Sequence, residues 1–97
     1  MVDPSRRFRV EEHRRVRKFF KQHPQLSRLW PKIRAALETD PLPRQGTDLI
    51  AHLKANWLCS YRWREGDYRL LYDVFDKVGV VHVFEADSRG QVYRDLR

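Results

Sequence analysis

Between Lys54 and Tyr93 the chain sets arginines and aromatic residues on alternating positions. Tyr61-Arg62-Trp63-Arg64-Glu65 leads through Gly66-Asp67 into Tyr68-Arg69-Leu70-Leu71-Tyr72, and Arg89 and Tyr93 close the run. Residues two apart in a strand share a face. Arg62 and Arg64 therefore point the same way, and a tight turn at Gly66-Asp67 folds Arg69 back beside them. Tyr61, Trp63, Tyr68, Leu70 and Tyr72 then face the opposite side and form a core. Guanidinium groups are always charged and donate in a planar fork that matches phosphate. Arginines gathered on one sheet face, with an aromatic beside them, suit a polyanion that carries stackable bases, namely RNA. A β-bulge would invert part of this parity.

The other reactive side chains carry less. Cys59 is the single cysteine, so an internal disulfide and a cysteine metal cluster are both excluded. It reads as a small buried residue in a reducing cytoplasm. His13 and His23 read as structural or solvated, and His82, between valines, as a satisfied histidine of a strand. His52 is more open. No histidine, cysteine or carboxylate spacing suggests a metal site, and no cofactor is expected.

The elements that must hold the arginines follow from periodicity. Val16, Phe19 and Phe20 lie together on a helical wheel, with Arg14, Arg17, Lys18 and Lys21 on the far side, which predicts an amphipathic helix over about residues 9–22. Pro24 ends it. Leu26, Leu29, Trp30, Ile33 and Leu37 form the stripe of a second helix over about 25–39, with Pro31 expected in its first turns. Asp40-Pro-Leu-Pro43 opens a loop running through Gly46. Residues 49–54 are a short helical turn or an extended lead-in. The period then becomes two: strands over Leu58–Glu65, Tyr68–Phe75 and Val80–Ala86, with a turn at Asp76–Gly79 and room for short strands near Arg7–Val10 and Gln91–Tyr93. The fold class is α+β: an N-terminal helical hairpin packed on a small antiparallel sheet of about three to five strands, one domain over residues 1–97.

The net charge of +7, from 20 Lys+Arg and 13 Asp+Glu, is unevenly placed. Residues 1–56 hold 13 basic and 6 acidic side chains, whereas residues 57–97 hold 7 of each. The excess sits in the first helix, apart in sequence from Arg62, Arg64 and Arg69, and implies a polyanionic partner. Phe19 and Phe20 are needed for the core, which argues against a membrane-surface helix. No apolar run approaches the roughly 18–20 residues that span a bilayer, and the start lacks the apolar segment of a secretory signal.

The helical hairpin, Leu53-Lys54, Gly66-Asp67-Tyr68-Arg69-Leu70-Leu71-Tyr72, the valine-rich strand and Arg89…Val92-Tyr93 together resemble the RelE/ParE superfamily of bacterial toxins. The resemblance covers nearly the whole chain and is most specific over residues 53–93. It implies a type II toxin: a metal-independent, ribosome-dependent endoribonuclease in the cytoplasm, monomeric when alone and neutralised by a cognate antitoxin. Its messenger RNA would be cut by attack of a 2′-hydroxyl on the adjacent phosphate, with ribosomal RNA as docking partner. By position, Arg69 would stabilise charge on the pentavalent phosphorus. Arg89 would contact the phosphate and assist the leaving oxygen, and Tyr93 would stack on or orient a base. Arg62 stands where relatives carry lysine, and Lys54 and Arg64 match further basic positions. Arg14, Arg17, Lys18 and Lys21 would bind RNA. Arginine at position 62 cannot serve as the general base, so Lys54, Tyr93 or His52 would take that role, or catalysis would rest on positioning and electrostatics. The alternatives are a ParE-like, non-enzymatic inhibitor of DNA gyrase, or a binding module of this fold without activity.

Overall fold

The structure, a computed structural model, describes residues 7–43, 49–53 and 59–88. The elements run β1 (Arg9–Glu12), α1 (Arg14–Gln22), α2 (Pro24–Thr39), β2 (Ile50–His52), β3 (Tyr61–Glu65), β4 (Tyr68–Phe75) and β5 (Val80–Ser88). The strands form one sheet in the order β1-β5-β4-β3-β2. β2 to β5 make an antiparallel meander, and β1 lies parallel to β5 at the outer edge. The two helices cover one face, so the α+β expectation holds.

The first helix is shorter than its amphipathic pattern predicts. Residues 9–12 are strand, because Val10 is needed in the core, where it is 3% exposed. β1 is held to β5 from Arg9 N–H to the Gly79 carbonyl and from His13 N–H to the Val83 carbonyl, both at 2.8 Å. His13 then starts α1. Its backbone is extended, and its Nδ1 accepts the Arg15 backbone N–H at 3.1 Å, as an N-cap residue does. A single residue, His23, separates the helices, and Pro24 takes the first position of α2, where a missing N–H costs nothing. Pro31 lies deeper than expected, inside α2 rather than in its first turns. There it deprives the Ser27 carbonyl of its usual helical donor. Residues 50–52 settle as an edge strand, not a helical turn. Tyr68–Phe75 is the strand predicted. β5 runs two residues past Ala86, to Ser88.

The core lies between the helices and the inner face of the sheet. Val16, Leu26, Ile33 and Leu37 from the helices meet Leu70, Tyr72, Val81 and Val83, all of them fully buried. Tyr72 resolves its buried hydroxyl by donating to the Pro41 carbonyl at 2.6 Å, which also ties down the chain leaving α2. Burial pushes that phenol's pKa well up, with the nearby Tyr61 and Asp40 adding to the shift.

Two glycines make the hairpin turns possible: Gly66 between β3 and β4 has φ +58° and Gly79 before β5 has φ +69°, a region that disfavours residues with a Cβ. The register holds one irregularity. Leu71 pairs with Glu85 and Tyr72 with Val83, so Phe84 is an extra residue in β5. This bulge turns both Phe84 and Glu85 to the outer face, while Val83 and Ala86 on either side stay in the core. No described helix is long and apolar enough to cross a membrane.

Candidate nucleic-acid interface

The outer face carries the arginines. Trp63 is buried between Arg62 and Arg64, and Leu70 beyond Arg69, so the aromatic and apolar partners turn inward as the alternation requires. Arg64 pairs directly with Arg69 across β3 and β4, and Arg62 with Leu71. Like charges set opposite one another weaken a strand pair. Part of that cost is offset locally, since Arg69 Nη1 donates to the carbonyls of Gly66 and Tyr68, each at 2.8 Å. These bonds fix one arm of the guanidinium against the β3–β4 turn and leave its remaining N–H groups for another acceptor.

The next strand brings carboxylates, which the sequence reading did not place here. Arg69 pairs with Asp87, Leu71 with Glu85 and Asp73 with His82. The Asp87 carboxylate accepts the Ser88 backbone N–H at 2.7 Å, and Asp73 accepts the Ser60 N–H at 2.8 Å. The face is thus cationic toward β3 and the β3–β4 turn, and mixed toward β5. Beneath its middle lies a small apolar cluster of Leu53, Cys59 and Leu71, with Phe84 packed on it. Burial and the neighbouring Asp73 carboxylate push the Cys59 thiol up to about 12, so Cys59 is a packing residue and no nucleophile at neutral pH.

A second cationic region lies on α1. Arg14, Arg17, Lys18 and Lys21 recur at helical spacing and are all exposed. With His13 and Arg15 they line an open hollow of about 610 Å³. An open surface bordered mostly by cations suits an extended anion better than an apolar small molecule. At its N-terminal end the helix reaches the sheet's outer face. Arg15 lies over the Phe84 ring, 4.4 Å from its centre, and pairs with Glu85 at 3.3 Å. His13 packs edge-on to Phe84 and to His82, with ring centres 5.4 and 6.4 Å apart. The His13 pKa is lowered from 6.5, first by desolvation and then by the charges of Arg15 and Arg14.

Among the residues singled out from sequence, the structure brings Arg62, Arg64 and Arg69 together and places Arg14, Arg17, Lys18 and Lys21 on one exposed helix face. Lys54, Arg89 and Tyr93 lie outside the described residues, and His52 is seen as backbone of β2. His23 stacks on Phe19 at 3.8 Å between ring centres and its Nδ1 lies 3.0 Å from the Phe19 carbonyl, a structural role. The alternation missed Arg15, Phe84 and Glu85. The signal available was the break in period two after Val83, where a small apolar residue, Ala86, arrives one position late.

No family model matches the sequence, and no curated protein does. Solved structures do. The two helices on a five-stranded, mostly antiparallel sheet make an α+β fold shared with solved RelE toxins. The crystal structure of the archaeal RelE–RelB complex from Pyrococcus horikoshii is similar with a TM-score of 0.68 and 31% identity, covering 87% of this chain and 97% of that one. The toxin–antitoxin complex RelBE2 from Mycobacterium tuberculosis is similar in fold, with a TM-score of 0.56 and 24% identity over 93% of this chain and 100% of that one. The chain belongs to the RelE-like toxin family.

Proposed function

We propose that this protein is the toxin of a type II toxin–antitoxin system and a metal-independent, ribosome-dependent endoribonuclease that cleaves messenger RNA. The observation that carries the reading is the clustering of Arg62, Arg64 and Arg69 on the sheet face that the helices leave uncovered, with Arg69 braced by two turn carbonyls. A braced cation aimed at a phosphate needs little reorganisation as charge builds up in the transition state.

The 2′-oxygen of one nucleotide attacks the adjacent phosphorus, the bond to the 5′-oxygen breaks, and a cyclic phosphate remains. Arg69 neutralises the charge gathering on the non-bridging oxygens, with Arg62 and Arg64 on the neighbouring strand. Arg89 contacts the same phosphate and assists the departing oxygen, and Tyr93 stacks on or orients a base. The described end of β5, Ser88, pairs with Tyr68 beside Arg69, and that supports assigning Arg89 to this phosphate. An arginine side chain offers no proton acceptor, so the 2′-hydroxyl proton goes to Lys54, Tyr93 or His52, or catalysis rests on positioning and electrostatics. Arg14, Arg17, Lys18 and Lys21 bind ribosomal RNA. The partners are messenger RNA on the cytoplasmic ribosome and a cognate antitoxin, in keeping with the RelE–RelB and toxin–antitoxin complexes that the fold resembles.

The test is cleavage of messenger RNA on programmed ribosomes by wild type, Arg69→Ala and Arg89→Ala. Cleavage by wild type, and its loss in both variants, is expected. Undiminished cleavage in both would remove the site assignment. Intact messenger RNA together with a block of gyrase supercoiling would replace the reading with a ParE-like one.

A further inference from the structure

Arg15 is held differently from the other cations of α1. Lys18 and Lys21 are exposed side chains on a helix surface. Arg15 instead has its guanidinium lying on the Phe84 ring, with its carbon 4.4 Å from the ring centre. At the edge of that plane, Nη1 donates to Glu85 Oε2 at 3.3 Å and Nε to His13 Nδ1 at 3.3 Å. Three neighbours, Phe84 and Glu85 on β5 and His13 at the N-cap of α1, thus fix its position, while its side chain keeps 46% of its exposure. The guanidinium carbon lies over the ring, and nearly half of the side chain remains open to solvent.

The ring is there because of the bulge. Without the extra residue in β5, Phe84 and Glu85 would point to opposite faces of the sheet. With it, both reach the outer face, one as floor and the other as tether. β-bulges commonly re-aim a side chain next to a functional site. The platform also lies one strand away from Arg69 and two from Arg62 and Arg64. Glu85 pairs with Leu71, and Leu71 pairs with Arg62. Neighbouring strands are about 4.8 Å apart, so Arg62 and Glu85 start roughly 10 Å from each other, within the span of one or two nucleotides of single-stranded RNA.

We propose that the Arg15 guanidinium, stacked on Phe84 and tethered by Glu85 and His13, is a preorganised platform that stacks an unpaired nucleobase of RNA whose backbone crosses the Arg62–Arg64–Arg69 face. The proposal rests on the RNA-directed reading given above. Unpaired bases are recognised by stacking on aromatic rings and on arginine planes, and the contact tolerates any base because each has a π-face. A cation already immobilised loses little side-chain entropy on binding. Glu85 and His13 hold the guanidinium through Nη1 and Nε, and the base contact proposed is with the face of the plane.

The experiment is a titration of the protein with a single-stranded RNA octamer, read by the NMR signals of the Phe84 ring and the Arg15 Nε–H and by fluorescence anisotropy. A matched octamer with one abasic position serves as its partner. The Arg15 and Phe84 signals are expected to shift. Arg15→Lys keeps the charge and loses the plane, and should weaken the full octamer roughly ten-fold while leaving the abasic octamer and the salt dependence unchanged. Phe84→Leu, which keeps an apolar floor, should act in the same direction. Stationary signals up to millimolar RNA, or equal affinity of wild type and Arg15→Lys for the full octamer, would overturn the platform. The ribosome assay with Arg69→Ala is independent of this result. Arg69-dependent cleavage beside an inert Arg15 discards the platform alone, whereas absence of cleavage discards the reading on which it stands.

Discussion

The two faces of the sheet solve opposite problems with alternate residues of the same strands. The inner face meets α1 and α2, is apolar almost throughout, and among the described residues buries the hydroxyl of Tyr72, which has its acceptor. The outer face carries Arg62, Arg64 and Arg69 next to Asp73, Glu85 and Asp87. It accepts a like-charge pair at Arg64 and Arg69 that a face serving stability alone would avoid. Stability is thus concentrated on one side and electrostatic potential on the other, and period two lets one hairpin do both. Substitutions on the inner face should therefore cost stability and leave the chemistry of the folded fraction intact. Substitutions on the outer face should do the reverse.

The sharpest separation is between Leu70 and Arg69, neighbours on β4 that point in opposite directions. Leu70→Ala opens a cavity in a fully buried site and is expected to cost about 2–5 kcal/mol in denaturant unfolding, a large part of the stability of so small a domain. Arg69→Ala should shift the unfolding midpoint by little, because the pair it breaks is repulsive and its two carbonyl bonds are near the surface. Its effect is expected on cleavage, a loss of about 10²–10³-fold, the scale for removing one preorganised donor to a developing oxyanion. If Arg69→Ala unfolded the protein while Leu70→Ala spared it, the division between faces would be wrong.

A smaller test lies within the core. Tyr72→Phe removes the donor to the Pro41 carbonyl and leaves that acceptor buried, at a cost of about 1–3 kcal/mol, without altering RNA affinity. Cys59 sharpens the comparison from the other side, since it belongs to the apolar cluster beneath the charged face. With its pKa raised to about 12, the thiol should resist alkylation at pH 8 in the native protein and react promptly in denaturant. Fast native labelling would mean that the outer face is open down to its floor.

How much of this was legible in the sequence follows from how local each cause is. The arginine parity could be read because a two-residue turn at Gly66-Asp67 fixes the register, and register fixes the faces. The apolar stripe of α2 and the cationic stripe of α1 could be read because 3.6 periodicity is local too. The start of α1 could not. Residues 9–12 fit the amphipathic pattern, and only β5, some 70 residues away, recruits them as a strand. The bulge at Phe84 is likewise a product of pairing, and so the contacts of Arg15 with Phe84 and Glu85 were invisible. The class of partner could be inferred from charge and residue type, but not the built feature next to the arginines.

His13 offers the finest test, because it joins the helix that carries the charge to the sheet face that would use it. Its Nδ1 accepts both the Arg15 backbone N–H and Arg15 Nε, which requires that nitrogen to be unprotonated. Protonation there would break both bonds and place a cation beside Arg14 and Arg15, with His82 also facing the ring and Glu85 alone favouring the charge. The folded-state pKa is accordingly below 6.5, the value in the unfolded chain. A group whose folded pKa is depressed contributes stability that is present above its unfolded pKa and is lost as pH falls through the folded one. Wild type should therefore lose a small increment of stability as pH drops from about 6.5. His13→Asn keeps a cap acceptor but does not titrate, and should flatten that limb of the stability profile while leaving the value at pH 8 nearly unchanged. An NMR titration of His13 with its midpoint above 6.5 would reverse the sign and break the link between the cap and Arg15.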